Sequence, residues 1–194
     1  MTTVETPGRR ERKKAAVRLA IANAAWELFA SRGFDAVSVR EVADLADVST
    51  TTLFRYFPSK EALVFDRGDD IEEALVTAVR GTSSRPAVLA ALRDYALREW
   101  VVAIEDPIMR DFEELVEQTP SLIQYRDQMW SRHADSLANA IARELDEKPA
   151  SISTAAFARF VLDLPTLLRR REDASDAAHE VFELLWRGWG ASAK

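Results

Sequence analysis

The sequence has 194 residues, of which 47% are hydrophobic and 30% charged, and it contains no cysteine. This length and composition predict a globular protein with a hydrophobic core of its own, and the lack of cysteine excludes disulfides, zinc–thiolate sites and cysteine nucleophiles. No segment approaches the roughly 18 consecutive apolar residues of a membrane span, and no signal peptide is visible, so we expect a cytoplasmic protein with no membrane partner.

The net charge of −6 is distributed unevenly along the chain. Residues 1–60 contain ten Lys and Arg against seven Asp and Glu, a net charge of +3, whereas residues 61–194 contain sixteen against twenty-five, a net charge of −9. A basic N-terminal part on an acidic body indicates a local contact with a polyanion.

The chain begins with a polar segment, residues 1–8, which we predict to be a disordered tail because it contains Pro7-Gly8. A helix is predicted from about Glu11 to Arg32, ending at Gly33. Five cations lead into it: Arg9, Arg10, Arg12, Lys13 and Lys14. They are either a solvated helix start or a phosphate contact, and the helix dipole does not favour cations at this end.

Two short helical patterns flank Asp47-Val48, a break that is short enough to be a tight turn. This layout predicts a helix-turn-helix over Ser38–Leu63. Ser49 is placed to cap the second short helix. Ser59 is placed to cap a third, with Glu61 in its first turn.

The second short helix has two chemically different faces at 100° per residue. If Leu53 and Phe57 point into the core, Thr51, Thr52 and Arg55 face outwards, with Phe54 and Tyr56 on the flanks. Arginine can donate two hydrogen bonds to guanine, methyl and phenyl groups can meet thymine methyls, and hydroxyl and ammonium groups suit phosphates. The outer face therefore predicts a DNA-reading surface.

The segments S-V-R-E-V-A, A-D-V-S, T-L-F-R-Y-F and P-S-K-E-A-L resemble the DNA-binding region of the tetracycline-repressor-type (TetR/AcrR) family of bacterial regulators. The resemblance covers about the first third of the chain and implies a DNA-binding domain over residues 9–60. One departure is Asp47, where the family usually has glycine; aspartate tolerates the left-handed conformation better than most residues. The predicted DNA-binding residues are Arg40, Ser49, Thr50, Thr51, Thr52, Phe54, Arg55, Tyr56 and Lys60.

The rest of the chain, residues 61–194, stays helical in pattern, and no stretch alternates as a strand does. We therefore predict an all-α fold of about nine helices, in which a three-helix DNA-binding domain precedes a helical ligand-binding and dimerisation domain. Residues 61–80 are either one interrupted helix or two, and the next helix is predicted to run from Pro86 to about Glu105. Pro165 is expected to kink or end its helix.

A long helix predicted to start at Thr119-Pro120 carries Arg126 and His133 on its apolar face. Such groups either orient the polar part of a buried ligand or lie at the edge of the apolar stripe with the head group in water. Neighbouring aromatic residues either line a cavity or belong to the core. The candidate ligand-binding residues are Trp100, Phe112, Tyr125, Arg126, Met129, Trp130 and His133.

The last two helices carry many aromatic residues, with His179, Phe182, Leu185, Trp186 and Trp189 predicted on one stripe. In the resembled family the last two long helices of each subunit form a four-helix dimer interface; the alternative is that they only complete the core of the monomer. The candidate interface residues are Phe157, Phe160, Val161, Phe182, Leu185, Trp186 and Trp189.

The resemblance implies a homodimeric transcription regulator, mostly a repressor in this family, that binds a partly palindromic operator and is released by a small-molecule effector. A second, weaker resemblance lies in residues 112–145, where E-E-L-V-E-Q-T-P-S-L is similar to regulators of mycofactocin systems. It implies an apolar or acyl-CoA-like effector.

Two other classes of function fit the sequence to different degrees. A DNA-binding protein without an effector has the same composition. An enzyme on a helical bundle is disfavoured, since neither histidine follows a Glu-x-x-His pattern and the sequence has no H-E-x-x-H, G-x-S-x-G or phosphate-binding loop. We therefore expect no catalytic activity, no cofactor and no metal.

Overall fold

A computed structural model describes residues 8–66, 68–104, 106–147, 149–169 and 171–191. All regular structure in these ranges is helical, which confirms the predicted fold class. The α-helices are α1 Arg9–Arg32, α2 Val39–Leu45, α3 Thr50–Tyr56, α4 Gly68–Ala78, α5 Arg85–Tyr95, α6 Val102–Ile104, α7 Pro107–Gln118, α8 Pro120–Glu144, α9 Ile152–Leu168 and α10 Ala174–Leu185. The predicted tail lies outside the described residues, except for Gly8.

Three further turns complete the helical structure. Glu61–Leu63 is a 3₁₀ turn, and Ala96–Val101 and Trp186–Gly190 are π-helical turns. The first π-turn joins α5 to α6 without a break, so this stretch counts as one helix, and nine helices result for the described part of the chain, as predicted. None of these helices is long and apolar enough to span a bilayer.

The chain divides into two compact units. The N-terminal unit contains residues up to 66 together with residues 114–123, and the C-terminal unit contains the remainder. The domain boundary predicted at residue 60 stays a prediction.

Local sequence fixes the helix ends of the N-terminal unit. At the end of α1, Gly33 has a φ of 81°, a conformation that costs glycine little, and its N–H donates to the carbonyl of Phe29. Ser38 and Glu41 form a capping box at the start of α2. The core of the unit is built on residues with at most 1% exposure: Ile21, Ala25, Phe29, Val37, Val42, Ala43, Leu53 and Phe57.

The segment after α3 differs in part from the prediction. The hydroxyl of Ser59 accepts the N–H of Ala62 at 3.2 Å, but it caps the single 3₁₀ turn and not an α-helix. The next helix, α4, begins separately at Gly68, so the open choice for residues 61–80 resolves to two helical pieces.

Aromatic and aliphatic side chains from α4, α5, α8, α9 and α10 form one core in the C-terminal unit. Phe157 and Trp189 stack at its centre with ring centroids 3.9 Å apart and an interplanar angle of 4°. The two π-turns carry the buried Trp100 and Trp189 of this core.

The structure makes two predictions in this unit more specific. The helix predicted over residues 86–105 is not uniformly α-helical, because the π-turn interrupts it at Ala96. Pro165 does not end α9, which continues to Leu168. The carbonyl of Pro165 still accepts the N–H of Arg169 at 3.1 Å, so the helical hydrogen bonding resumes beyond the proline.

Candidate nucleic-acid interface

Helix α3 has the inner and outer faces that the sequence predicts. Leu53 and Phe57 are 0% and 1% exposed, whereas Thr51 and Arg55 are exposed on the other side and half of Phe54 is open to solvent. The amphipathic pattern therefore fixes the rotation of α3 about its axis.

The start of α3 is held by a local hydroxyl. Ser49 Oγ accepts the N–H of Thr52 at 3.1 Å, which confirms the predicted cap, and its own proton goes to Thr52 Oγ1 at 2.9 Å. Thr52 is half-buried, while Thr50 and Thr51 are exposed. Of the predicted threonines, Thr50 and Thr51 thus present the more accessible hydroxyl and methyl groups.

The turn between α2 and α3 contains the one departure noted in the sequence. Asp47 has a φ of 52°, in the left-handed region, and the N–H of Val48 donates to Ala43 at 3.0 Å. The turn geometry that glycine normally provides is therefore kept with aspartate, which is among the residues that tolerate it.

Glu41 and Arg32, whose roles were not predicted from the sequence, hold α2 in place together with Ser38. Glu41 accepts hydrogen bonds from the N–H and hydroxyl of Ser38, both at 2.8 Å, and from Arg32 Nη1 at 2.8 Å. The backbone bond from Ser38, its hydroxyl and the Arg32 guanidinium lower the pKa of Glu41 to about 2. The S-x-x-E spacing of residues 38–41 is a capping-box pattern from which the pairing of Ser38 with Glu41 could have been predicted.

Arg40 lies on the outside of α2. Its nearest ion pair is with Asp44 at 3.8 Å, and both side chains are more than two-thirds exposed. Such an exposed pair has little stabilising effect, so Arg40 can turn to a phosphate at small cost. Arg55 lies with its guanidinium carbon 5.6 Å from the ring centroid of the half-buried Tyr56.

Lys60 differs from the other predicted contacts because its ammonium group is engaged within the protein. Its Nζ donates to the carbonyl of Phe34 at 2.6 Å and lies 4.1 Å from the centroid of the Phe34 ring. Burial lowers the pKa of Lys60. In this structure Lys60 ties the start of the 3₁₀ turn to the loop after α1.

Arg18 is a second cation that the sequence reasoning did not single out. Its guanidinium lies over the ring of Phe57, 4.8 Å from the centroid, and donates to the carbonyl of Asp66. α1 is thereby linked to the C-terminal end of α3. The sequence gives no local signal for this contact, which joins residues 39 and 48 positions apart.

The candidate ligand-binding residues lie in the C-terminal unit at different depths. Trp100, Met129 and His133 are buried, and the other four are half-buried. His133 Nε2 lies 3.4 Å from Glu72 Oε2, which joins α8 to α4. A Cβ at Gly68 would lie 2.7 Å from Met129 Sδ, so a larger residue at this position would require the flexible Met129 side chain to shift.

Arg126 is the most unusual member of the ligand-binding set. Its Nε and Nη2 share one oxygen of Asp127 at 3.3 Å, whereas Nη1 is buried and has no hydrogen-bond partner among the described residues.

Two cavities of the C-terminal unit lie away from the candidate ligand-binding residues. A groove of about 490 Å³ runs between α4 and the first π-turn, and a smaller cavity of about 60 Å³ lies beside His179.

The candidate interface residues divide by exposure. Phe157, Val161, Phe182 and Trp189 are buried within the single chain, Leu185 is half-buried, and Phe160 and Trp186 are 47% and 45% exposed. The predicted stripe on the last helix is split in the same way, since His179 is exposed. Exposed apolar side chains of α9 and α10 also include Leu167 and Leu184.

Comparison with known proteins gives matches to one family. Residues 21–66 match the model for bacterial regulatory proteins of the tetR family. The transcriptional regulator TcmR of Streptomyces glaucescens is 33% identical over 133 residues, covering 63% of this chain and 57% of that protein. RutR of Escherichia coli is 37% identical over 92 residues, covering 47% and 43%.

MftR of Mycobacterium tuberculosis, whose description names mycofactocin biosynthesis, is 32% identical over 125 residues, or 63% of each chain. The chain thus spans about half the length of the curated relatives it matches. Both resemblances noted in the sequence therefore have a counterpart here: residues 21–66 match the tetR family, and MftR is described as a regulator of mycofactocin biosynthesis.

Solved structures extend the likeness of fold along the chain. Salmonella enterica GusR superposes with a TM-score of 0.57 at 21% identity, covering 91% of this chain and 96% of that one. NalD of Pseudomonas aeruginosa, described as the secondary repressor of the MexAB-OprM multidrug efflux pump, has a TM-score of 0.57 at 20% identity, covering 91% and 97%. The matched relatives are regulators and not enzymes. Residues 21–66 therefore match the tetR family of bacterial regulatory proteins, and the likeness to the solved structures extends the fold along the chain.

Proposed function

We propose that the protein is a transcription regulator of the cytoplasm that binds operator DNA through α3. The observation that carries this proposal is the orientation of α3, which buries Leu53 and Phe57 and exposes Thr51 and Arg55 inside the segment that matches the tetR family. A helix that is anchored on one side and exposed on the other can enter the major groove without distorting its own unit.

The exposed groups provide the chemistry for reading a sequence. The Arg55 guanidinium has two donors in the geometry of guanine O6 and N7, and the methyl of Thr51 and the ring of Phe54 can contact thymine methyls. Thr50, at the first position of α3, meets the groove end-on. Arg40 and Tyr56 suit phosphate contacts, which fix the register of the helix on DNA.

The proposed active form is a homodimer. Two copies of α3 related by a two-fold axis would then enter successive major grooves of a partly palindromic operator, roughly 34–36 Å apart or somewhat more. The exposed apolar residues of α9, α10 and the π-turn after α10, namely Phe160, Leu167, Leu184 and Trp186, support an interface there. Sedimentation of the purified protein tests the oligomeric state.

The proposed regulation is release from DNA by a small-molecule effector, so that the protein acts as a repressor. The effector would bind between helices of the C-terminal unit near Met129, Trp130 and His133, with an apolar or acyl-CoA-like body. The buried Nη1 of Arg126 supports a polar group on that molecule. Binding would favour the conformation with lower DNA affinity through differential affinity for two states.

A DNA-binding protein without an effector is the second candidate. It is favoured by one observation: neither of the two cavities described above is lined by the candidate ligand-binding residues. A thermal shift screen against a metabolite library separates the two candidates. A true effector raises the melting temperature and also releases the operator, whereas a protein without an effector shows no compound that does both.

Genome-wide selection of bound DNA tests the main proposal, and the recovered operator then allows a test of Arg55. We expect Arg55→Ala to weaken binding and to relax the preference at one or two operator positions by about 1–3 kcal/mol. Arg143→Ala, which removes an exposed cation from α8, is the matched control and should leave the preference unchanged. Equal loss on every sequence would show that Arg55 contacts phosphate only.

A further inference from the structure

The first half of α1 is an exposed helical arm. Residues 9–20 contain no buried side chain, and the first buried residue of the helix is Ile21. Twelve residues of α-helix are about 18 Å long. Since α1 begins at Arg9, this length is regular helix and can hold side chains at fixed spacing.

The outer end of this helix, Arg9–Lys14, which we name the basic arm, carries five cations and one acidic residue. The carboxylate of Glu11 forms a hydrogen bond within the chain, accepting the N–H of Gly8 at 3.0 Å. Within the described residues, the structure shows no ion pair for four of the cations, namely Arg9, Arg10, Lys13 and Lys14. The basic arm therefore presents a concentrated positive charge to solvent.

This arrangement works against the stability of the helix. Cations in the first turns oppose the helix dipole, and two of the cation pairs, Arg9 with Lys13 and Arg10 with Lys14, have the four-residue spacing at which like charges repel. A solvated helix start needs none of these features. A bound polyanion would offset both effects.

The position of the arm links it to the recognition helix. Arg18 stacks on Phe57, the residue that directly follows α3, and Arg55 is exposed only two residues before it. From Arg18 to Arg9 the helix rises about 14 Å. Because phosphates of one DNA strand follow each other every 3.4 Å or so along the axis, this distance equals the spacing of several phosphates along one strand.

We propose that the basic arm binds phosphates of the DNA that flanks the sequence contacted by α3. This inference rests on the proposed DNA-binding function and adds to it a second, sequence-independent contact on each protomer. The two contacts have different roles: α3 selects the sequence, and the arm supplies affinity that depends on salt and on the length of the DNA.

The test is a quadruple variant, Arg9→Gln, Arg10→Gln, Lys13→Gln and Lys14→Gln, which keeps good helix formers at all four positions. Operator binding is followed by fluorescence anisotropy from about 50 to about 200 mM salt. The control variant removes four exposed cations of the C-terminal unit by changing Arg80, Arg110, Arg132 and Arg143 to Gln. Both variants change the net charge equally, so a difference between them reports position and not total charge.

We expect the arm variant to make the slope of log K against log salt shallower by about 2 to 4 units per protomer, at roughly 0.9 per phosphate contact, and the control to leave it unchanged. Trimming the flanking base pairs should weaken the wild type and not the arm variant. A slope equal to that of the wild type, or loss of affinity without any change in slope, would overturn the inference while DNA binding stands. A wild-type protein that binds no DNA would overturn the proposed function as well.

Discussion

In the N-terminal unit, the helix ends are held by side chains close to them in sequence, whereas in the C-terminal unit distant aromatic side chains hold the helices together. Ser38, Ser49 and Gly33 each act within four residues of their own position. Phe157 and Trp189, by contrast, stack across 32 positions. The short helices of the first unit need local help because helices of seven residues are unstable alone.

The difference has a functional meaning. A DNA-reading surface requires side chains at fixed positions, and local caps and turns give each short helix a defined start and direction. If the C-terminal unit binds the proposed effector, long helices joined by contacts between distant residues would let it change conformation on binding. If the two units depend on these different kinds of contact, substitutions in them should change stability and DNA binding by different amounts.

The largest effect is expected for the stacked pair of the C-terminal unit. Trp189→Ala should lower the free energy of unfolding by about 3–5 kcal/mol, because a buried aromatic ring and its partner Phe157 lose their contact. Urea denaturation followed by circular dichroism measures the loss. Trp186→Ala, at a 45% exposed position of the same π-turn, is the control and should cost much less. Equal losses would show that the core does not depend on the stack.

An intermediate effect is expected for Lys60. Lys60→Met keeps the length of the side chain but removes the hydrogen bond to Phe34, so the free energy of unfolding should fall by about 1–2 kcal/mol. The slope of operator affinity against salt should remain nearly unchanged. The sequence-based hypothesis made Lys60 a phosphate contact, and a slope shallower by about one unit would support that role instead.

The smallest effect is a pH dependence that Glu41 contributes. Because its pKa is lowered to about 2 in the folded state, against about 4.3 for an unperturbed glutamate, its contribution to stability is complete above about pH 4.5 and is lost as the pH falls towards 2. Glu41→Gln should therefore reduce the change in stability between about pH 5 and pH 2. An unchanged pH profile in the variant would contradict this assignment.

Glu147 provides the corresponding carboxylate in the C-terminal unit. Burial alone would raise its pKa, but hydrogen bonds from Thr154, Ser151 and Arg85 lower it to about 2. It acts in the same pH window and in the same direction as Glu41. Comparing the two Glu→Gln variants shows which unit loses more stability in acid.

The sequence predicted those features that depend on neighbouring residues. The stop at Gly33, the turn at Asp47 and the cap at Ser49 all follow from local conformational preferences, and the burial of Leu53 and Phe57 follows from helical periodicity. The role of Lys60 could not be predicted in this way, since its partner lies 26 positions earlier in the chain.

The C-terminal unit was predictable in its helices but less so in its contacts. The start of α8 at Pro120 follows from proline's preference for the first helical turn. The two π-turns leave no mark in the hydrophobic pattern, although each carries a buried tryptophan of the core, Trp100 in the first and Trp189 in the second. Helical periodicity predicted Trp186 and Trp189 on one stripe, but Trp186 is exposed and Trp189 is buried. The prediction assumed 3.6 residues per turn, which does not hold in a π-turn.

The π-turns affect how positions in this chain correspond to those of its relatives. An i→i+5 turn holds one residue more than an i→i+4 turn, so every residue after Ala96–Val101 is advanced by one position, or about 100°, relative to a straight helix. An alignment with a relative that has a straight helix needs a one-residue gap there, and another at Trp186–Gly190. Without these gaps, a ligand contact transferred from a relative to residues 102–104 would be assigned to the wrong face of the helix.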